Sequence, residues 1–339
     1  MEIPGTALSS VEPSPRPLGI LGPRAKIEAW CGAALKRRGS VYLLGAAGGH
    51  GDYAGNEVNA LKLNVDAPRW EQLRAPSANE AIINGTQFYL DKRPSATHTY
   101  YATQFIESQN RLMVVASPGI SGALFPPAPP NFAYTGSARS FSFNLATGDW
   151  DDPDHVAPYP GQGDFTACLC VKHPVTDDIY YSRSYAEGWY RWTAATGRWD
   201  RLSSTSRSPW YCGAAIDPVR NRMLIVGGYS PIAPQVLSLE GANLGVRFAG
   251  LGAEALTLSG YPAVVYDEVL DRFLCLFNGP DGRIKLLSVY PQTWEVSKIE
   301  LQGPEPLARP NGLLNAPQYV PELRGVILAN SYAGNALFL

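Results

Sequence analysis

Charge is scarce in this chain, and so are the patterns that mark nucleic-acid-binding or membrane proteins. Charged residues make up 17% of the 339 residues, and the net charge is −2. The longest basic run is Lys36-Arg37-Arg38, in a predicted hairpin turn, so we expect no nucleic-acid partner. No apolar run approaches the ~20 residues that span a membrane, so we expect no membrane insertion.

The signatures of several enzyme classes are also missing. There is no nucleophile-elbow serine, no phosphate loop and no dinucleotide fingerprint. The run Gly48-Gly49-His50-Gly51 is not a phosphate cradle, because it ends a predicted strand and opens no helix. We therefore expect no cofactor.

The five cysteines include no Cys-x-x-Cys pair. Most fall inside predicted strands, where a small thiol is typically a buried core residue. We expect all five to be reduced. The alternative is a single disulfide, with Cys168 and Cys212 as the first candidates.

The chain shows no signal peptide at its start, where Met1 is followed directly by Glu-Ile-Pro-Gly-Thr. Either the protein does not follow that export route, or the chain is trimmed at Met1. An extracellular or periplasmic location would require the second explanation.

A repeated hairpin is the strongest positive signal. Its clearest copies begin with Cys-Gly-Ala-Ala at Cys31 and Cys212, pass through a turn, and end in a hydrophobic strand and a Gly-Gly pair. A period of about 50 residues is typical of propellers. Six copies align on their turns, which combine early Pro with late Asn, Asp or Gly. Their second strands are predicted to begin near Val41, Leu112, Ile179, Met223, Phe273 and Val326.

A second repeated element ends in a tryptophan that opens the outermost strand and packs between sheets. Blade four has Phe248 in its place. The four tryptophans of this element are Trp70, Trp150, Trp199 and Trp294.

These repeats predict an all-β, six-bladed kelch-like β-propeller with four antiparallel strands per blade, in one domain covering residues 1–339. The sixth blade lacks an outer strand, so we expect residues 5–11 to supply it and close the ring, which leaves no free sheet edge. The predicted blades are residues 25–76, 96–153, 165–204, 209–255, 260–302, and 311–339 together with 5–11.

The chain resembles the kelch and galactose-oxidase-like propellers along nearly its whole length. The resemblance rests on the Gly-Gly pairs at 48–49 and 227–228, the Thr-Gly-x-Trp turns, and the hairpin Asp217-Pro-x-x-x-Arg222. It is also similar to bacterial kelch-type proteins with Gly-Gly-His-Gly-Asp-Tyr-x-Gly-Asn-Glu at 48–57 and Arg-Pro-x-x-x-His-Thr-Tyr at 93–100. Galactose oxidase is a copper-radical enzyme, but this chain lacks its separate binding domain and an evident ligand set. The resemblance therefore implies the fold and not oxidase chemistry.

The loops between second and third strands are expected to share one face with the connections between blades, around the central channel. They repeat a tyrosine-containing motif beginning at Tyr53, Tyr134, Tyr185 and Tyr332. One interpretation is that the motif only forms the turn, because Gly and Asn adopt the positive φ angles that turns require. The other is a set of rings that stack on sugars. Two long loops, 74–97 and 117–137, place the expected site near blades one to three.

Among the four histidines, His50 and His98 are the candidate catalytic residues, together with Asp52 and Tyr100. A histidine beside a carboxylate or a tyrosine can exchange protons near neutral pH. The alternative is that each histidine anchors its own loop. A metal site would need a third ligand, such as Asp52, Glu57 or Asp91, and no ligand spacing demonstrates one, so no metal is assigned.

Six further residues are candidates for binding a substrate. Arg183 lies near aromatic residues, which suits a carboxylate or sulfate group. The substrate-binding candidates are Tyr53, Asn56, Arg183, Tyr185, Tyr211 and Tyr332.

Three functions compete. The first is a glycan-directed protein, in particular a polysaccharide lyase or hydrolase acting at an aromatic and histidine-lined channel mouth. The second is a non-enzymatic module that binds a protein partner or serves as a cell-surface, virion or scaffold element. The third and weakest is a metal-dependent oxidase.

Overall fold

The computed structural model shows an all-β chain with very little helix. One α-helix, α1 (Ala25–Glu28), is four residues long. None of the helices in the described part of the chain is long and apolar enough to cross a membrane. The structure describes residues 1–46, 48–49, 52–83, 87–117, 120–122, 132–134, 139–157, 169–182, 188–203, 211–228, 233–257 and 260–339. The 3-10 helices are Leu8–Val11, Gly22–Arg24, Asn79–Ala81, Glu107–Gln109, Glu254–Leu256 and Pro321–Leu323.

The chain divides into two compact units. The N-terminal unit, residues 2–166 and 329–336, contains blades one and two and a small extra hairpin, β7–β8. Blade one consists of β1 (Ala34–Lys36), β2 (Tyr42–Gly45), β3 (Val58–Lys62) and β4 (Trp70–Arg74). Blade two consists of β5 (Thr103–Ile106), β6 (Arg111–Ser117), β9 (Arg139–Asn144) and β10 (Asp149–Trp150). The extra hairpin consists of β7 (Ile120–Gly122) and β8 (Phe132–Tyr134).

The C-terminal unit, residues 1, 167–328 and 337–339, contains the other four sheets. Blade three consists of β11 (Leu169–Lys172), β12 (Ile179–Ser182), β13 (Trp189–Thr193) and β14 (Arg198–Ser203). Blade four consists of β15 (Cys212–Asp217), β16 (Arg222–Gly227) and β17 (Gln235–Ser238). Blade five consists of β18 (Ala263–Asp267), β19 (Arg272–Asn278), β20 (Ile284–Tyr290) and β21 (Glu295–Ile299). Blade six consists of β22 (Gln318–Val320), β23 (Gly325–Leu328) and β24 (Leu337–Phe338).

The six sheets that form the blades are antiparallel and give the protein the six-bladed β-propeller fold, which confirms the prediction from the repeat. The second strand of every blade begins within one residue of its predicted start. In blade four, a single antiparallel bridge between Leu237 and Asn243 follows the third strand, where blades one, two, three and five have a fourth strand.

The tight turns between first and second strands explain why the repeat is visible in the sequence. Asp217 accepts hydrogen bonds from the amides of Val219 and Arg220, at 2.9 and 3.1 Å, which satisfies the turn backbone. Asp267 does the same in blade five. In blade three the acceptor is Nδ1 of His173, 3.2 Å from two turn amides.

The prediction that the repeated tryptophans pack between sheets is met at Trp294, which shares a core cluster with residues of blades four and five. Trp70 and Trp294 are buried. The ring of Trp294 stacks on Phe273, with centroids 6.4 Å apart, and meets Phe248 of blade four edge-on at 5.8 Å. Phe248 packs against this core, but it does not open an outer strand of blade four. The amide of its neighbour Ala249 donates to the carbonyl of Trp294, and the Ala249 carbonyl accepts from the amide of Val296, both in blade five.

The N-terminal residues do pair with the last strand, but the predicted segment is wrong. Leu8–Val11 form a 3-10 helix and not a strand. The pairing comes from the residues before it: the amides of Phe338 and Ile3 donate to the carbonyls of Met1 and Ala336, at 2.8 and 2.9 Å. A turn at Pro4-Gly5, where Gly5 has φ +77°, ends this extended stretch and sends the chain away from the sheet.

The cysteines in the described residues are buried and are not joined to one another by a disulfide: Cys31, Cys170, Cys212 and Cys275. Cys168 lies outside the described residues. Burial raises the pKa of the Cys275 thiol to about 12, so this sulfur stays protonated and unreactive.

Thr6 offers a test of the N-terminal pairing. Its buried hydroxyl donates to the carbonyl of Ile3, at 2.5 Å, and accepts from the amide of Ala336, at 2.8 Å. Thr6→Val keeps the shape but leaves both backbone groups unpaired, so we expect urea denaturation to show a loss of about 1–3 kcal/mol. The control is Ser10→Ala, an exposed hydroxyl bonded to Ala7, which should change stability by less than ~0.5 kcal/mol. Equal effects of the two variants would contradict the pairing.

Candidate functional site

The candidate site lies at the ends of blades one and two opposite their tight turns. In blade one, Ala34 pairs with Leu44, so the start of the first strand and the end of the second lie together. The segment before β1 carries Trp30, and the loop after β2 carries Asp52. The corresponding segment before β5 carries His98 and Tyr100.

Backbone contacts join these segments directly. The amide of Gly48 donates to the carbonyl of Thr97 at 3.3 Å, and the amide of Gly32 donates to Oγ1 of Thr99 at 3.0 Å. Gly49 has φ +93°, and a Cβ atom there would lie 2.4 Å from the backbone nitrogen of His98. The close approach of the two blades therefore requires glycine at this position.

Asp52 and His98 form the polar centre of the site. Nε2 of His98 lies 2.7 Å from Oδ2 of Asp52. The side chain of His98 is 3% exposed and that of Asp52 is 24% exposed, so the carboxylate is the member that solvent can reach. The Asp52 backbone is held in a tight turn, in which its amide donates to the carbonyl of Gly49 at 3.0 Å.

The electrostatics of the pair favour a neutral imidazole. Burial lowers the pKa of His98 below its ordinary value of 6.5, and the hydrogen bond and charge of Asp52 oppose this shift without cancelling it. Because an ionised carboxylate only accepts hydrogen bonds, Nε2 carries the hydrogen in this pair.

Two half-buried aromatic rings border the imidazole. The Trp30 ring lies 5.2 Å from it at 48°, and the Tyr100 ring meets it edge-on at 5.9 Å. The amide of Tyr100 donates to the carbonyl of Trp30 at 2.9 Å, which couples the two positions. Tyr100 has φ +45°, a conformation that costs a non-glycine residue on the order of 1–3 kcal/mol and is concentrated at functional sites.

Tyr53 and Asn56, two predicted substrate-binding residues, face the protein interior. The buried Tyr53 hydroxyl donates to Oε1 of Glu57 at 2.9 Å. Asn56 is also buried, and its side-chain amide donates to Ser77 and to the carbonyl of Pro94, at 2.9 and 2.8 Å. Their assignment to substrate binding stays a prediction and would require the loop to rearrange.

The remaining predicted residues are spread over the chain. Tyr332 is half-buried in the N-terminal unit, where burial and the nearby Glu12 raise its pKa. Tyr211 belongs to the C-terminal unit, and its ring meets that of Tyr261 at 4.5 Å and 66°. The other three fall outside the described residues: His50, Arg183 and Tyr185.

Sequence reasoning missed Trp30, although a signal was present. Trp30 directly precedes Cys-Gly-Ala-Ala in blade one, and Tyr211 directly precedes the same four residues in blade four. Aligning the two copies one residue further back would have identified it. Across the described ranges, no group of three or more His, Cys, Asp or Glu side chains could hold a metal ion.

Comparison with known proteins identifies the fold alone. No family model and no curated protein sequence matches the chain. A protein of unknown function from Bacteroides thetaiotaomicron superposes with a TM-score of 0.52 at 12% identity, covering 99% of this chain and 74% of its own. A chain of the mitotic checkpoint complex gives 0.51 at 10% identity, covering 94% and 89%. TolB from Acinetobacter baumannii gives 0.43 at 11% identity, covering 81% and 54%, a similarity too low to support an argument.

The lowered pKa of His98 predicts a specific pH dependence. As pH falls below 6.5, the unfolded chain binds a proton that the folded chain does not yet bind, so stability should fall. One such proton contributes at most about 1.4 kcal/mol per pH unit. Urea unfolding between pH 7.5 and 5 should therefore show that the unfolding free energy falls less steeply with falling pH for His98→Gln than for the unchanged protein. If the His155→Gln control alters the slope equally, the effect does not belong to His98.

Proposed function

We propose that this protein is a glycan-directed propeller of the kelch or galactose-oxidase-like kind. The observation that carries the proposal is the Asp52–His98 pair bordered by the half-buried rings of Trp30 and Tyr100. Aromatic rings offer flat apolar faces to the C–H faces of sugars, and a carboxylate accepts hydrogen bonds from hydroxyl groups. Asp52 and the two rings together supply both kinds of contact around His98.

The same pair suits proton transfer in a polysaccharide lyase or hydrolase. Asp52 fixes the imidazole and its tautomer, and the lowered pKa keeps His98 able to accept a proton at neutral pH. Because only 3% of the His98 side chain is exposed, a substrate would reach it after the bordering rings of Trp30 and Tyr100 shift. Tyr100 is the second candidate for a group that contacts the substrate.

A non-enzymatic interaction module is the second candidate function. It is favoured by the number of contacts at the site that join blade one to blade two, such as Gly32 to Thr99 and Gly48 to Thr97. In that case the Asp52–His98 pair contributes to stability, and any protein partner binds elsewhere.

Substitutions in the site separate the two functions. Purified protein is screened against neutral and uronate-containing polysaccharides for binding, for new reducing ends and for the absorbance of unsaturated uronates. We expect Trp30→Ala to weaken binding about 2- to 12-fold, since an aromatic contact is worth roughly 0.5–1.5 kcal/mol. We expect His98→Gln to lower turnover by about 10²–10⁴ with binding retained.

Trp199→Ala is the matched control, because this half-buried tryptophan lies in β14 of blade three and is not one of the rings that border His98. It should leave binding and turnover unchanged. If the two site variants lower only the melting temperature and no polysaccharide is bound or cleaved, the interaction module replaces the glycan-directed function.

A further inference from the structure

A buried ionic cluster lies behind the candidate site. Nζ of Lys26 is 3.2 Å from Oε1 of Glu57, and their side chains are 3% and 1% exposed. The ammonium group also donates to the Glu57 carbonyl at 3.0 Å and to Oδ1 of Asn59. The Tyr53 hydroxyl donates to the same carboxylate oxygen as the ammonium group, Oε1 of Glu57.

Such a cluster is costly for a protein to maintain. Burial lowers the pKa of Lys26, and the charge of Glu57 opposes that shift. Burial together with Glu57 raises the pKa of Tyr53, so the phenol stays protonated. Replacing a buried ion pair by apolar residues of similar size is often neutral or stabilising, so net stability does not explain why the charges are present.

The cluster connects the two segments that carry the site. Lys26 lies in α1, four residues before Trp30, and Tyr53 directly follows Asp52. Apolar packing also joins these segments, because Ala25 and Ala29 belong to the same buried core cluster as Tyr53. Hydrogen bonds and charge pairing are directional, and they are satisfied together in one arrangement of the two segments.

We propose that Lys26, Glu57 and Tyr53 are positioning residues that fix the Trp30 segment and the Asp52 loop relative to His98. Glu57 is the common partner: it holds α1 through Lys26 and the loop through Tyr53. The importance of this role for glycan binding rests on the proposed function, whereas the geometric role does not. Loss of the cluster would loosen the Asp52–His98 hydrogen bond before the fold itself is lost.

The Nε2–H hydrogen of His98 reports on this role without any ligand. The chain has four histidines, so selective ¹⁵N labelling of histidine gives a simple NMR spectrum. The double variant Lys26→Met with Glu57→Gln removes both charges and leaves neither unpaired. Tyr53→Phe removes one hydrogen bond and keeps the ring. If the double variant does not fold, this single variant tests the positioning role.

We expect solvent exchange of the His98 Nε2–H hydrogen to become at least tenfold faster in these variants. The increase should exceed what the change in unfolding free energy, measured by urea, accounts for. The control is Lys298→Met with Glu300→Gln, which removes an exposed pair whose side chains are 55% and 74% exposed. It should leave the exchange rate unchanged.

The opposite result would overturn the proposal. If the variants fold and the exchange rate changes only as much as global stability does, the cluster has no positioning role. Polysaccharide binding is then measured on the same samples. Faster exchange in the variants, together with no binding by the unchanged protein, would support the positioning role and contradict the proposed function.

Discussion

Antiparallel pairing of the first two strands in each blade is the constraint on which the rest of the structure depends. In blade four, Cys212 pairs with Gly227 and Asp217 pairs with Arg222, so one end of the hairpin carries the tight turn and the other carries the loops. The same register in blade one places the segment before β1 beside the loop after β2. Trp30 and Asp52 can share a site only because this pairing brings their segments to one end of the sheet.

The hairpins could be predicted because their turn chemistry is local. An aspartate that accepts two amides within three residues leaves a visible pattern, as at Asp217 and Asp267. His173 shows that the pattern tolerates a different acceptor with the same geometry. Asp52 and His98 lie together for a related reason, because both belong to segments at hairpin ends opposite the turns.

Features that depend on distant partners could not be predicted in this way. Nothing near residues 5–11 reveals that an extended stretch before them, and not this segment, pairs with the last strand. Lys26 and Glu57 are 31 residues apart, and Lys26 follows a Pro-rich stretch that gives no helical pattern. Asn56 was a candidate for substrate binding because it is an asparagine in a loop. Its hydrogen-bond partner Ser77 lies 21 residues away and holds the side chain inside the protein.

The pairing of the N-terminal residues has a consequence for the order of folding. Thr6 and Ala336 are separated by 330 residues, so synthesis at ~5–20 residues per second leaves tens of seconds between their appearance. During that interval the early segment has no partner strand, and its backbone groups are bonded to water or to a chaperone. Blade six therefore gains its outer strand only after the other blades have been synthesised, and the segment that completes the last sheet waits through the synthesis of all the others.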